Sequence, residues 1–235
     1  MPVTVSEKKI KSKIKSGDRI AVIENIKYPF FEGDGNEKLC KKMNNFYSDI
    51  AEKYSYHARI RLPKRIKSRR FTSRLPLTVT MNYTISFCDE SIISVVLDLS
   101  FAEGKKIKMR RFSQIWGVER QDMLSPCEII RTDRKARKSI YPRILAIAKE
   151  NGENPAFGYL EDYPAKLSKY FDLQNVFIVP NGMCFFINAG ILSPAKYGAN
   201  NFILGFESLK GLLAEDFLPK KDTKEPENKN IVNNV

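Results

Sequence analysis

Leu77 to Phe101 reads LTVTMNYTISFCDESIISVVLDLSF, and this stretch decides the fold. Leu77, Val79, Met81, Tyr83, Ile85 and Phe87 alternate with Thr78, Thr80, Asn82, Thr84 and Ser86. A strand turns successive side chains to opposite faces, so a period of two predicts a strand with one face buried. Cys88-Asp89-Glu90-Ser91 then supplies a turn. Ile93, Val95, Leu97, Leu99 and Phe101 resume the alternation against Ser94, Asp98 and Ser100, with Val96 breaking the polar face. The pair reads as an antiparallel hairpin. Gly104 makes the next turn, and Ile107 to Trp116 adds a third strand to give a meander.

Upstream, residues 1–31 read as extended, with a β-rich run from Ile20 through Val22, Ile23 and Ile26 to Tyr28-Pro29-Phe30-Phe31. Glu32-Gly33-Asp34-Gly35 ends it, and Asn36 or Asp34 can cap a helix. Leu39, Met43, Phe46, Tyr47, Ile50 and Tyr54 predict one buried helical face running to about residue 58. Pro63 and Pro76 bracket a basic loop. Downstream, Ile140, Ile144, Ile147 and Ala148 place a second helix over roughly 132–151, starting only near Tyr141 if Pro142 interrupts it. A short helix follows at 165–170. Val176 to Val179 and Met183 to Ile187 form a hairpin about Asn181-Gly182. A strand at 202–206 and a last short helix at 207–217 complete the reading. The expected fold is therefore α+β: an antiparallel sheet of meander and hairpins backed by two main helices. It forms a single module over 1–218, with an N-terminal half 1–75 and a C-terminal half 76–218. Residues 219–235, rich in Lys, Asp, Glu, Asn and Pro, read as a disordered tail.

The chain has 235 residues, 43% hydrophobic and 29% charged, which excludes a wholly disordered protein. Lys and Arg number 40 against 27 Asp and Glu, a net charge of +13. No apolar h-region follows Met1, and the most apolar stretch, Met183 to Leu192, is interrupted by Asn188. No transmembrane segment is expected. The cysteines, Cys40, Cys88, Cys127 and Cys184, are too far apart in sequence for a Cys-x-x-Cys clamp and read as small buried thiols. These features point to a reducing cytoplasm.

Several short motifs recur in a recognisable order. Tyr28-Pro29 lies on a strand, and Met43-Asn44-Asn45-Phe46 on the helix after it. Arg111-Phe112-Ser113-Gln114-Ile115-Trp116 leads to Met123-Leu124-Ser125-Pro126. Val176 to Phe186 with its Asn181-Gly182 turn is followed by Phe202-Ile203-Leu204 and Ser208-Leu209-Lys210-Gly211-Leu212-Leu213. Over residues 19–217 this order resembles the domain of unknown function at the C-terminus of lysozyme-sensing anti-sigma factors, which also precedes some bacterial polysaccharide deacetylases. The resemblance implies a bacterial α+β domain without chemistry of its own. The chain departs from that family in three ways. No leader or anchor is evident, the Gly-Gly-Ala-His turn is absent, and Asn188-Ala189-Gly190-Ile191 replaces Pro-Tyr-Glu after the hairpin. Lysozyme recognition and deacetylase activity are therefore not carried over.

Residue by residue, no catalytic constellation emerges. His57 is the sole histidine, and no Gly-x-Ser-x-Gly elbow accompanies it. One histidine and scattered thiols make no zinc set, so neither metal nor cofactor is expected. The acid pairs Asp89-Glu90, Glu161-Asp162 and Glu215-Asp216 are sequence neighbours rather than carboxylates across a cleft. Gly33-Asp34-Gly35-Asn36 lacks the Lys-Ser/Thr of a phosphate loop.

The basic residues, by contrast, fall in runs. Lys8, Lys9, Lys11, Lys13 and Lys15 form the first; Lys105, Lys106, Lys108, Arg110 and Arg111 the third; Arg131, Arg134, Lys135, Arg137, Lys138 and Arg143 the fourth. The second, Arg59, Arg61, Lys64, Arg65, Lys67, Arg69, Arg70 and Arg74, contains no acid and is the candidate polyanion site. Three functions fit: a non-enzymatic module for an unknown protein or ligand, sequence-independent binding of nucleic acid or another polyanion, and hydrolysis of glycan or cell-wall material.

Overall fold

The computed structural model describes residues 3–66, 76–214 and Phe217. Strands β1 (Thr4–Ser16) and β2 (Arg19–Glu32) precede helix α1 (Glu37–Tyr56), a π-helical turn at His57–Arg61 and helix α2 (Leu62–Ile66). Strands β3 (Leu77–Cys88), β4 (Ile92–Glu103), β5 (Lys106–Gly117) and β6 (Asp122–Leu124) follow. Helices α3 (Arg134–Glu153) and α4 (Tyr163–Tyr170) then lead to β7 (Val176–Val179), β8 (Gly182–Ile187) and β9 (Asn200–Gly205). The fold is α+β, with a six-stranded sheet in the order β1-β2-β3-β4-β5-β6 and a three-stranded sheet β7-β8-β9.

Two compact units divide these elements. One takes Met1–Tyr83 and Leu97–Arg110; the other takes Thr84–Val96 and Arg111–Val235. In the first unit, β1 and β2 pair antiparallel over their whole length, with Ala21 as an extra residue opposite the Ile14/Lys15 step. β2 and β3 pair parallel, Val22 with Leu77 through Ile26 with Met81, because α1 provides the crossover that parallel neighbours need. The core on that side joins Ala21, Val22, Leu77 and Val79 to Ala58 and Leu62, with Ile14, Tyr54, Ile66 and Phe101 packed around them.

α1 buries Leu39, Cys40, Met43, Tyr47, Ala51 and Ser55, while Phe46 and Ile50 are half-buried. The buried stripe thus advances by fours and passes through the small residues Ala51 and Ser55. Helical structure also continues beyond residue 58, contrary to the expected basic loop. Pro63 is the second residue of α2. A proline ring collides with the carbonyl four residues back in a regular helix. Here the preceding turn is π, with the Leu62 N–H reaching the His57 carbonyl, and the wider turn accommodates the ring. Asn44 fastens α1 to β2. Its Oδ1 accepts from the Phe31 N–H at 2.8 Å, and its Nδ2 donates to the Phe31 carbonyl at 2.9 Å.

In the second unit, α3 passes straight through Pro142 instead of starting near Tyr141. Asp133 caps it by accepting from the Lys135 and Ala136 N–H groups. Ala136, Ile140, Ile144 and Ala148 bury one stripe on both sides of the proline, and this packing sustains the helix. β8 is buried along its length between β7 and β9. Gly182 is not the turn residue itself but the first residue of β8, paired with Val179 and Gly205. A Cβ there would lie 2.2 Å from the Leu204 carbonyl oxygen, so close backbone approach requires glycine. The Ser94 hydroxyl accepts from the Ile178 N–H at 3.1 Å, and the Ser113 hydroxyl donates to the Val176 carbonyl at 2.7 Å. Both bonds engage main-chain groups of β7.

The expected last helix is limited to a 3-10 turn at Phe206–Leu209. Gly211 adopts φ 77°, and Leu213 bridges Ile130 as the Arg131 N–H donates to the Leu212 carbonyl and the Ala214 N–H to that of Ile129. This extended pairing claims the residues a helix would have used. The tail from 219 onward lies outside the described residues. Among the described residues, no helix is long and apolar enough to cross a membrane.

Candidate functional site

Of the eight candidate polyanion residues, the structure describes the side chains of Arg59, Arg61 and Lys64. Lys67, Arg69, Arg70 and Arg74, and the side chain of Arg65, lie outside the described residues. Arg59 is already engaged: its Nε lies 2.8 Å from Glu24 Oε2. Glu24 is only 1% exposed, and its Oε2 also accepts from the Ser12 hydroxyl, while Oε1 is buried without a donor. A carboxylate removed from water needs a cation and hydrogen bonds, so Arg59 serves the interior here. Arg61 lies 5.9 Å from the Tyr56 ring, and Lys64 is exposed.

Three arginines of the fourth run behave like Arg59, while Arg134, Lys135 and Lys138 are exposed. Arg131 pairs with Asp133 at 2.7 Å. Arg137 donates to the Ser168 carbonyl at 2.8 Å and lies over the Tyr141 and Phe171 rings. Arg143 donates to the Ser208 carbonyl. In the third run, Arg111 reaches Asn201 Oδ1 at 2.7 Å. These guanidiniums brace loops and helix ends, a task suited to their fixed fork of donors.

The first run differs. Lys9, Lys11, Lys13 and Lys15 fall at alternate positions of β1 and are exposed, while Ile10 and Ile14 between them are half-buried. Ile14 belongs to the core beneath α2, so the four lysines point away from that core. Pairing places Lys11 beside Asn25 and Lys13 beside Ile23 on β2, and those beside Thr80 and Thr78 on β3. Successive lysines on the strand stand about 6.7 Å apart, twice its rise. Glu7 engages one end, 2.6 Å from Lys9 Nζ and 3.8 Å from Lys27 Nζ. Among the described residues, no carboxylate pairs with Lys11, Lys13 or Lys15. The period-two pattern Lys-Ile-Lys-Ser-Lys-Ile-Lys over 9–15 signals this file; its charge is visible in sequence, but its single face follows only once β1 is seen as a regular strand.

The remaining chemical candidates are dispersed. Asp89 accepts from the Ser91 and Ile92 N–H groups in the β3–β4 turn, and Asp162 pairs with Lys166. Glu215 and Asp216 lie outside the described residues. Among the described residues, no three of His, Cys, Asp and Glu come together as metal ligands. Burial pushes the Cys184 thiol up to about 12 and the Cys88 thiol up to about 11. Contrary to the expectation of four buried thiols, Cys127 is exposed and Cys88 half-buried, because Cys127 sits in the 3-10 turn at Pro126–Glu128, which buries none of its residues.

No protein-family model matches this chain, and no curated protein matches it. Solved structures share its fold. A member of the DUF3298 family from Bacteroides fragilis NCTC 9343 superposes with a TM-score of 0.68 at 10% identity, covering 90% of this chain and 93% of that one. A DUF3298 family protein from Pseudomonas aeruginosa PAO1 gives 0.57 at 12% identity, covering 89% of this chain and 94% of that one. Both carry a domain of unknown function, and what they share with this chain is the fold.

Proposed function

We propose that this protein is a non-enzymatic binding module and that its ligand is a polyanion. The observation that carries the reading is the file of exposed lysines on β1, of which Lys11, Lys13 and Lys15 have no carboxylate partner among the described residues. Groups left in this state can neutralise phosphates, and the release of the cations condensed on the polyanion drives association. The net charge of +13 adds a long-range field of the right sign. The motif resemblance to the domain of lysozyme-sensing anti-sigma factors, and to the one preceding polysaccharide deacetylases, favours binding over catalysis in the same way. Binding in a cytoplasmic setting would make nucleic acid the most abundant ligand of this kind.

The test is anisotropy titration of a fluorescent single-stranded oligonucleotide at a series of salt concentrations from about 50 to about 200 mM. Binding that weakens along a straight line in log salt supports the reading. No binding at the lowest salt overturns it. Turnover of a glycan or cell-wall substrate by the purified protein would overturn the non-enzymatic part.

A further inference from the structure

We infer that the outward face of β1 and β2 is a site for a linear chain of phosphates, laid along β1 and held by charge alone. The inference rests on the polyanion reading and gives it a place and a ligand geometry.

The face is built in rows. Lys9, Lys11, Lys13 and Lys15 form the outermost row, on the strand at the end of the six-stranded sheet. Ile23 and Asn25 of β2 form the next row inward, and Thr78 and Thr80 of β3 the one after. Thr80 shares a hydrogen bond with the Ser100 hydroxyl of β4. The lysine file is about 20 Å long, six residues at the strand rise. A linear polyanion running beside it meets a cation at every second residue, with no need to bend. The acids near the file lie at its margins: Glu7 at one end, Asp18 in the β1–β2 turn at the other, and Asp98 further across on β4.

What the rows lack decides the mode of recognition. Proteins that hold single strands through their bases stack them on aromatic rings. Beside Lys11, Lys13 and Lys15 stand Asn25, Ile23 and Ile20, with Thr78 and Thr80 beyond, and none of these is aromatic. Tyr28 and Phe30, partly exposed, lie farther along β2 beside Lys8 and Ser6, where Lys8 lies 3.7 Å over the Phe30 ring. Beside Lys11, Lys13 and Lys15 the bases therefore have no platform, and the backbone is what remains to be read there. An edge strand carrying lysines also discourages pairing with a second copy, since equivalent strands would bring like charges together. That role and phosphate binding make different predictions.

The experiment compares wild type, the β1 double variant Lys11→Glu/Lys13→Glu and the α3 double variant Lys135→Glu/Lys138→Glu. The two variants change net charge equally, and all four lysines are exposed. Circular dichroism and a thermal melt establish that each variant folds. Probes are oligothymidylate, oligoadenylate and inorganic polyphosphate. For wild type, four phosphate contacts predict a log–log salt slope of about −3. The β1 variant should bind at least tenfold more weakly with a shallower slope, the α3 variant within about threefold of wild type. Oligothymidylate and oligoadenylate should bind alike, and polyphosphate should displace both. Equal losses in the two variants would overturn the site while leaving the polyanion reading standing. A strong preference between the two oligonucleotides, or failure of polyphosphate to compete, would overturn recognition by charge alone. Absence of wild-type binding to any probe at low salt would remove the underlying reading as well.

Discussion

In β1, cations alternate with Ile10 and Ile14, and their ammonium groups extend into solvent. On α3 and β5, three arginines of the second unit fold back onto the protein: Arg137 onto the Ser168 carbonyl, Arg143 onto that of Ser208, Arg111 onto Asn201. Both places are dense in charge, yet the β1 lysines face outward while these arginines are part of the framework. The difference follows from side-chain chemistry. A guanidinium is weakly hydrated and presents several donors in one plane, so it satisfies carbonyls that loops leave open. An ammonium on a flexible stem holds its water and stays free. The functional content of a basic run is thus set by what its cations already bond.

The contrast extends to how each region tolerates change, and the largest effect should fall in the second unit. At Gly182 the neighbouring atom is backbone, the Leu204 carbonyl oxygen, which cannot rotate away from an added methyl. Gly182→Ala should cost about 3 kcal/mol or more, read from the midpoint of a urea melt. A loss under about 1 kcal/mol would show that β8 and β9 can separate and that this sheet is less rigid than its burial implies.

Arg59 is the exception within the first unit, because it serves a buried carboxylate as the second-unit arginines serve carbonyls. Arg59→Ala leaves Glu24 with Ser12 alone. Removing one partner of a buried pair costs about 3–5 kcal/mol. Arg59 is half exposed, so water can enter in its place, and a loss of about 2–3 kcal/mol is expected. The double change Arg59→Met/Glu24→Leu should recover most of it, since it leaves no buried charge behind. If the double variant is no better than Arg59→Ala, the pair is not what holds the π-helical turn against β2.

These comparisons also mark what could be read from the chain. The hairpin at 77–101 was legible because the alternation along β3 is unbroken and a turn separates it from a second apolar run, although Ile92 to Leu97 of β4 are all buried. The hairpin about Gly182 was legible for another reason than its glycine suggests, since that residue serves backbone approach. The continuation of α1 to Ile66 was hidden, because Pro63 normally ends a helix and the π turn that admits it has no sequence signature. The bridge between Ile130 and Leu213 was hidden too, since its partners are far apart in the chain. For the candidate site, the lysine run could be seen but its exposure could not. The assignment of Arg59 to a polyanion site missed Glu24, a carboxylate 35 residues earlier that looks like the polar half of an alternating strand.

The finest test of the contrast sets one cation from each region side by side. Arg137→Ala removes a hydrogen bond to the Ser168 carbonyl and contacts with the Tyr141 and Phe171 rings. A charged hydrogen bond and a cation–π contact at a partly exposed position together suggest a loss of about 1–2 kcal/mol. Lys13→Ala removes a side chain whose neighbours on its own strand face are Lys11 and Lys15, so stability should move by no more than about 0.5 kcal/mol. Relief of repulsion between like charges favours a small gain, and added salt, which screens that repulsion, should shrink it. The second-unit loss should persist in salt, since most of it is desolvated packing and hydrogen bonding. Equal effects of the two substitutions, or a salt-insensitive loss at Lys13, would mean that the β1 lysines are framework after all, and the open cationic face would lose its basis.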